Sequence, residues 1–194
     1  MSGVFDGGDF PEPLRYYDLE GYLFVDVHET FHMEGSIGAF DFFSIVIWKA
    51  NRAKSKIARR LQKMDPGGRI ELELIVRDLT RSLFDAASAR DRLHILMQKW
   101  GFLLPMASAL LTVLWPDEFT VYDVRACGEL SAFHTLGDET REDRIWDGFV
   151  RYRAAVHAAV DGPLSLRDKD RALWARSAMM QLRDDIDRGF SLPG

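Results

Sequence analysis

The 194-residue chain is 47% hydrophobic and 28% charged, enough apolar material for a proper core, yet no apolar run approaches the roughly 18 residues of a membrane span. Cys127 is the only cysteine, which excludes an intrachain disulfide and a cysteine-cluster metal site. The net charge of -5 argues against wholesale nucleic-acid binding, but the distribution matters more than the sum: Lys49, Arg52, Lys54, Lys56, Arg59, Arg60 and Lys63 follow one another without an acidic residue between them.

In chain order, the opening MSGVFDGGDFPEP is acidic and rich in Gly and Pro, unlike a basic-then-apolar signal peptide, so a cytoplasmic, membrane-free address is expected. FDFFSIVIWKANRAKSKIARRLQKM has helical periodicity, with Asp41 near its start, Ile57 and Leu61 four apart, and Pro66-Gly67-Gly68 as its break. IELELIVRDLTRSLFDAA and ARDRLHILMQKW continue as helices, and LLPMASALLTVLW is an apolar helix that Pro116 ends. FTVYDV has the β-branched and aromatic content of a short strand, and GYLFVDV shares some of it. DRIWDGFVRYRAAVHAAV and SLRDKDRALWARSAMMQLRDDIDRG complete the set, the last with Ser165 as N-cap and Gly189 as stop. The expectation is an all-α protein.

HETFH, residues 28–32, places two histidines one helical turn apart with a glutamate beside them, the arrangement of a zinc peptidase. The surrounding chain does not support that chemistry. Only 27 residues precede His28, too few for the sheet such enzymes carry, Gly38 stands where a third histidine would, and no glutamate occurs between Glu34 and Glu71. A zinc hydrolase using His28, Glu29 and His32 is the weakest of the readings, and no cofactor is expected.

KWGFLLPMASALLTVLWPDEFTVYDVRACGEL, residues 99–130, holds a glycine turn at Gly101, an apolar helix with small residues at Ala107, Ser108 and Ala109, and an aspartate, Asp123, after a short extended run. It resembles the helix-hairpin-helix DNA glycosylase superfamily, whose hairpin Leu-Pro-Gly-x-Gly-x-x-x-Ala is followed, after a hydrophobic helix, by a catalytic Val-Asp. Gly101, Ala107 and Asp123 fall on three of those positions at the family's spacing. FDFFSIVIWKANRAKSKIARRL is similar to that family's first conserved helix, with Asn51 at the position of the side chain wedged into the DNA stack. LRDKDRALWARS is similar to the helix that packs behind the hairpin.

The resemblance implies a two-lobed helical fold over 1–194, with a central lobe of about 70–125 carrying the hairpin and a second lobe formed by about 20–69 and 126–190. It implies a monomer that binds DNA through Lys49, Asn51, Arg52, Lys54, Lys56, Gly101 and Arg125, a base pocket including Trp48 and Tyr122, and Asp123 as the catalytic carboxylate. Departures refine the expectation. Leu103 replaces the second hairpin glycine, Pro105 stands where lyase-active members carry a nucleophilic lysine, Tyr122 replaces the valine, and Arg125 stands where many members have histidine. The chemistry expected is therefore a monofunctional N-glycosylase for a damaged or modified base, with a non-catalytic DNA-binding protein as the alternative.

Overall fold

A computed structural model describes residues 11–190. Every regular element among them is helical: α1 (Pro11–Tyr17), α2 (Leu19–Tyr22), a π-helical segment (Leu23–Val27) leading into α3 (His28–Glu34), α4 (Ala39–Ala50), a 3-10 turn (Asn51–Ala53), α5 (Lys54–Met64), α6 (Leu72–Phe84), α7 (Ala89–His94) with a π-helical extension (Ile95–Lys99), α8 (Leu104–Leu114), α9 (Val124–Leu130), a 3-10 turn (Leu136–Asp138), α10 (Glu142–Ala158) and α11 (Leu166–Asp187). No helix among the described residues is long and apolar enough to cross a membrane.

The all-α expectation holds, and the two expected strands do not form. In GYLFVDV the buried residues are Leu23 and Val27, with Phe31 following at the same spacing, so the apolar period is four and the segment coils as a helix despite its β-branched residues. FTVYDV is irregular up to Asp123, which is itself extended, and pairs with no strand among the described residues. Side chains serve its backbone instead: the Tyr122 amide donates to Ser108 Oγ at 2.9 Å, and the Tyr152 hydroxyl donates to the Val121 carbonyl at 2.9 Å.

The chain divides into two compact units: residues up to Phe102 with Val113–Trp115, and Leu103–Thr112 with the residues from Pro116 onward. In the first, Phe31, Phe42, Ile45, Leu61, Ile75 and Leu79 are each at most 1% exposed, and burying one such side chain contributes about 1.5–3 kcal/mol. The start of α4 is capped from another helix. Gly38 has no side chain to cap with, and Glu73 of α6 accepts the Ala39 amide at 2.7 Å while also holding Arg77 Nε at 2.7 Å. A Cβ on Gly38 would stand 2.9 Å from the Glu73 carboxylate, so the missing side chain makes room for the borrowed cap.

The tight corner after α5 is tied by Asp65. Its side chain is inaccessible to solvent and takes the Arg69 guanidinium at 2.7 Å and the Arg69 amide at 2.9 Å. Arg69 also reaches Asp78 at 2.6 Å, so one guanidinium joins the end of α5 to α6.

In the second unit Phe119, Phe149, Tyr152, Val156 and Leu173 form the core with Ala107, Ala109 and Leu110. Ser165 accepts the Asp168 amide as the N-cap of α11, and Gly189, at φ +62, follows its last turn, as the sequence indicates.

Candidate functional site

The expected site residues fall into two groups, one in each unit. The second unit carries Asp123, Tyr122 and Arg125. Asp123 is extended (φ -140, ψ 141) and caps α9, its Oδ1 accepting the Arg125 amide at 2.9 Å. The carboxylate is half-buried at the start of a helix, where free amides and the helix dipole favour negative charge. Arg125 turns its guanidinium over the Trp174 ring, 5.6 Å from the centroid.

Tyr122, expected beside a base, is instead a core residue. It is 3% exposed, packs edge-on against Tyr152 at 5.3 Å, donates to the Phe133 carbonyl at 2.8 Å and accepts the Gly137 amide at 3.0 Å. Burial pushes its hydroxyl up to about 12. The ring fastens the loop after α9 and presents no open face for stacking. Cys127 is fully buried nearby, and burial raises its thiol as well, which makes it an inert apolar side chain.

The first unit carries Trp48, Lys49, Asn51, Arg52, Lys54, Lys56 and Gly101. The expected polar turn exists: Ala50 at φ -161, ψ 79 breaks the helix, and Asn51 opens the 3-10 turn between α4 and α5 with its side chain exposed. Asn51 Oδ1 accepts from Lys54 Nζ at 3.2 Å. Trp48 is half-buried, with its ring edge-on to Phe24 at 5.6 Å. Lys49 is half-buried, whereas Arg52, Lys54 and Lys56 are exposed.

Gly101 is a turn residue at φ +66, a backbone conformation that suits glycine, and the Phe102 amide after it returns to the Leu96 carbonyl at 2.9 Å. Leu103 then opens α8, its carbonyl accepting the Met106 and Ala107 amides at 3.0 Å, and its side chain is 62% exposed. Pro105 sits in the first turn of α8, where a missing N–H leaves no helical bond unmade.

The basic run that holds Lys56, Arg59, Arg60 and Lys63 is legible in the sequence, but its meeting with this turn is not. Lys56, Arg59, Arg60, Lys63 and Met64 of α5 line a cleft of about 320 Å³ with Gly101. The signal was present in the spacing, because 56, 59, 60 and 63 follow i, i+3, i+4, i+7 and so share one helix face.

HETFH has a structural explanation. His28 Nδ1–H donates to the Val113 carbonyl at 3.2 Å and His32 Nε2–H to the Leu114 carbonyl at 2.8 Å, so the two imidazoles satisfy carbonyls that the end of α8 leaves open. Their rings stand 4.5 Å apart between centroids. Among the described residues no group of three or more His, Cys, Asp and Glu side chains is placed to hold a metal ion.

Comparison with protein families, with characterised proteins and with solved structures finds no match to this chain.

Proposed function

We propose that this protein is a monofunctional DNA N-glycosylase that excises a damaged or modified base. The observation that carries the reading is Asp123, a half-buried carboxylate on an extended residue at the head of a helix, following in sequence a positive-φ glycine turn between two helices. This is the order of parts that the resemblance to helix-hairpin-helix glycosylases implies.

The chemistry asks little more of the protein than charge and position. As the C1′–N bond lengthens, its electron pair leaves with the base and positive charge grows on the sugar, which an ionised Asp123 stabilises. Water then forms the new C1′–O bond, and its proton passes to the carboxylate or to solvent. Pro105 offers only an amide nitrogen where a lysine nucleophile would stand, so no Schiff base forms there and the abasic strand is left intact. Flipping the base costs on the order of a few kcal/mol, and the exposed Asn51 at its turn is the proposed side chain that fills the vacated stack.

A second reading, a non-catalytic DNA-binding protein, draws on Leu103, whose exposed side chain stands where the hairpin would otherwise bring bare backbone to a phosphate. Base excision on duplex and single-stranded oligonucleotides carrying a panel of modified bases, read as alkali-labile breaks with Asp123→Asn beside the wild type, separates the two. Breaks made only by the wild type support the glycosylase. Equal breaks by both proteins remove Asp123 from catalysis, and salt-sensitive binding without breaks favours the second reading.

A further inference from the structure

We infer that Lys56, Arg59, Arg60 and Lys63 of α5, converging on the Gly101 turn, form a side-chain cradle for the phosphodiester backbone of a nucleic-acid strand, in place of the hairpin amides. The inference rests on the DNA-directed reading above and names its contact surface.

The first argument is the absence of counter-charge. Several arginines elsewhere in the protein have carboxylate partners: Arg69 with Asp65, Arg77 with Glu73, Arg167 with Asp170, Arg176 with Glu129. None of the four cradle cations has an ion pair or hydrogen bond among the described residues, although the chain carries 30 acidic residues against 25 basic ones. The sequence of α5, KSKIARRLQKM, contains no acid at all. Like charges three and four apart weaken a helix, and solvated faces ordinarily mix the two signs. A stripe that keeps four such cations together is arranged for an anion from outside.

Shape then selects the anion. The cations line an open cleft rather than a flat face, a shape that suits a strand backbone better than a bilayer surface. From Lys56 to Lys63 the helix rises about 10 Å at roughly 1.5 Å per residue. A nucleic-acid strand advances about 3.4 Å per phosphate along its axis, so the stripe matches about three phosphate steps. Gly101 contributes bare backbone to the cleft. The nearest atom to the place of its missing Cβ is Arg60 Nη1 at 3.5 Å, and any side chain there would stand against the guanidinium.

The test compares wild type with the variant K56Q/R59Q/R60Q/K63Q for binding a labelled duplex oligonucleotide across a sodium chloride series, with thermal melting of both. The wild type should bind with a steep dependence of log affinity on log salt. The variant should lose about two to three units of that slope, at roughly 0.9 per phosphate contact, while melting at the same temperature or higher because repulsion along α5 has gone. An unchanged affinity and slope overturns the cradle, as does wild-type binding to vesicles containing phosphatidylserine with none to the duplex. Failure of the glycosylase reading is a separate outcome: a wild type that releases no base yet shows a slope the variant loses leaves the cradle standing. Base release with a slope indifferent to the four substitutions removes the cradle alone.

Discussion

His32 Nε2–H and the Leu114 carbonyl are 2.8 Å apart, so a side chain of α3 closes the last turn of α8. With His28 on Val113 one turn earlier, the pair does for this helix end what a C-cap does locally. Replacing His32 with alanine should lower stability by about 1 kcal/mol, the ordinary net worth of such a bond, measured by urea denaturation. Stoichiometric zinc should leave the melting temperature of the wild type unchanged. A zinc-dependent rise that disappears in His32→Ala would return the motif to metal chemistry.

Asp123 serves as the cap of α9, and its two roles can be pulled apart. Asparagine caps about as well as aspartate, so Asp123→Asn should retain wild-type stability while losing base release. Asp123→Ala should lose both, with a stability loss of about 1 kcal/mol. If Asp123→Asn melts well below the wild type, the carboxylate's charge is structural and the activity comparison needs Asp123→Glu beside it.

Glu73 stands in for the N-cap that Gly38 cannot provide. The Ala39 amide and then the Arg77 guanidinium hold its carboxyl below the usual range. Glu73→Ala should cost about 1 kcal/mol, and amide exchange should report it as faster opening of the first turn of α4. Equal protection in both proteins would mean that solvent caps the helix adequately.

Asp65 makes stability depend on pH at the acid end. Hydrogen bonds from the Arg69 side chain and backbone lower its carboxyl to about 2, below the ordinary value near 4, so the ionised form is the one the fold favours. Its contribution is fully present above about pH 4 and is lost as pH falls toward 2. Melting temperatures of wild type and Asp65→Asn should therefore differ most near neutrality and converge below pH 3. A constant gap across that range would locate the effect in packing.

What could be read from the sequence was what neighbours in the chain decide. Ser165 and Gly189 bracket α11 because caps act over three or four residues, and Gly101 marks a turn because its own φ requires it. FTVYDV looked like a strand because its residue types fit one; the groups that satisfy its backbone, Ser108 and Tyr152, lie on α8 and α10. HETFH looked like a metal site because its carbonyl partners come about eighty residues later. The basic run was visible as composition, yet its meeting with Gly101 depends on tertiary packing, so the sequence did not show that Lys56, Arg59, Arg60 and Lys63 surround that turn.

The interleaving of the two units bears on how the protein is made. Residues 113–115 belong with the first unit although ten residues of the second come before them. On the ribosome, that first unit therefore cannot finish when Phe102 emerges, because the carbonyls for His28 and His32 and the Trp115 ring against Phe31 are still unsynthesised. A gene fragment stopping at residue 102 should yield a product that exposes the apolar surface around Phe31 and is prone to aggregate, whereas extension to 115 supplies the missing partners.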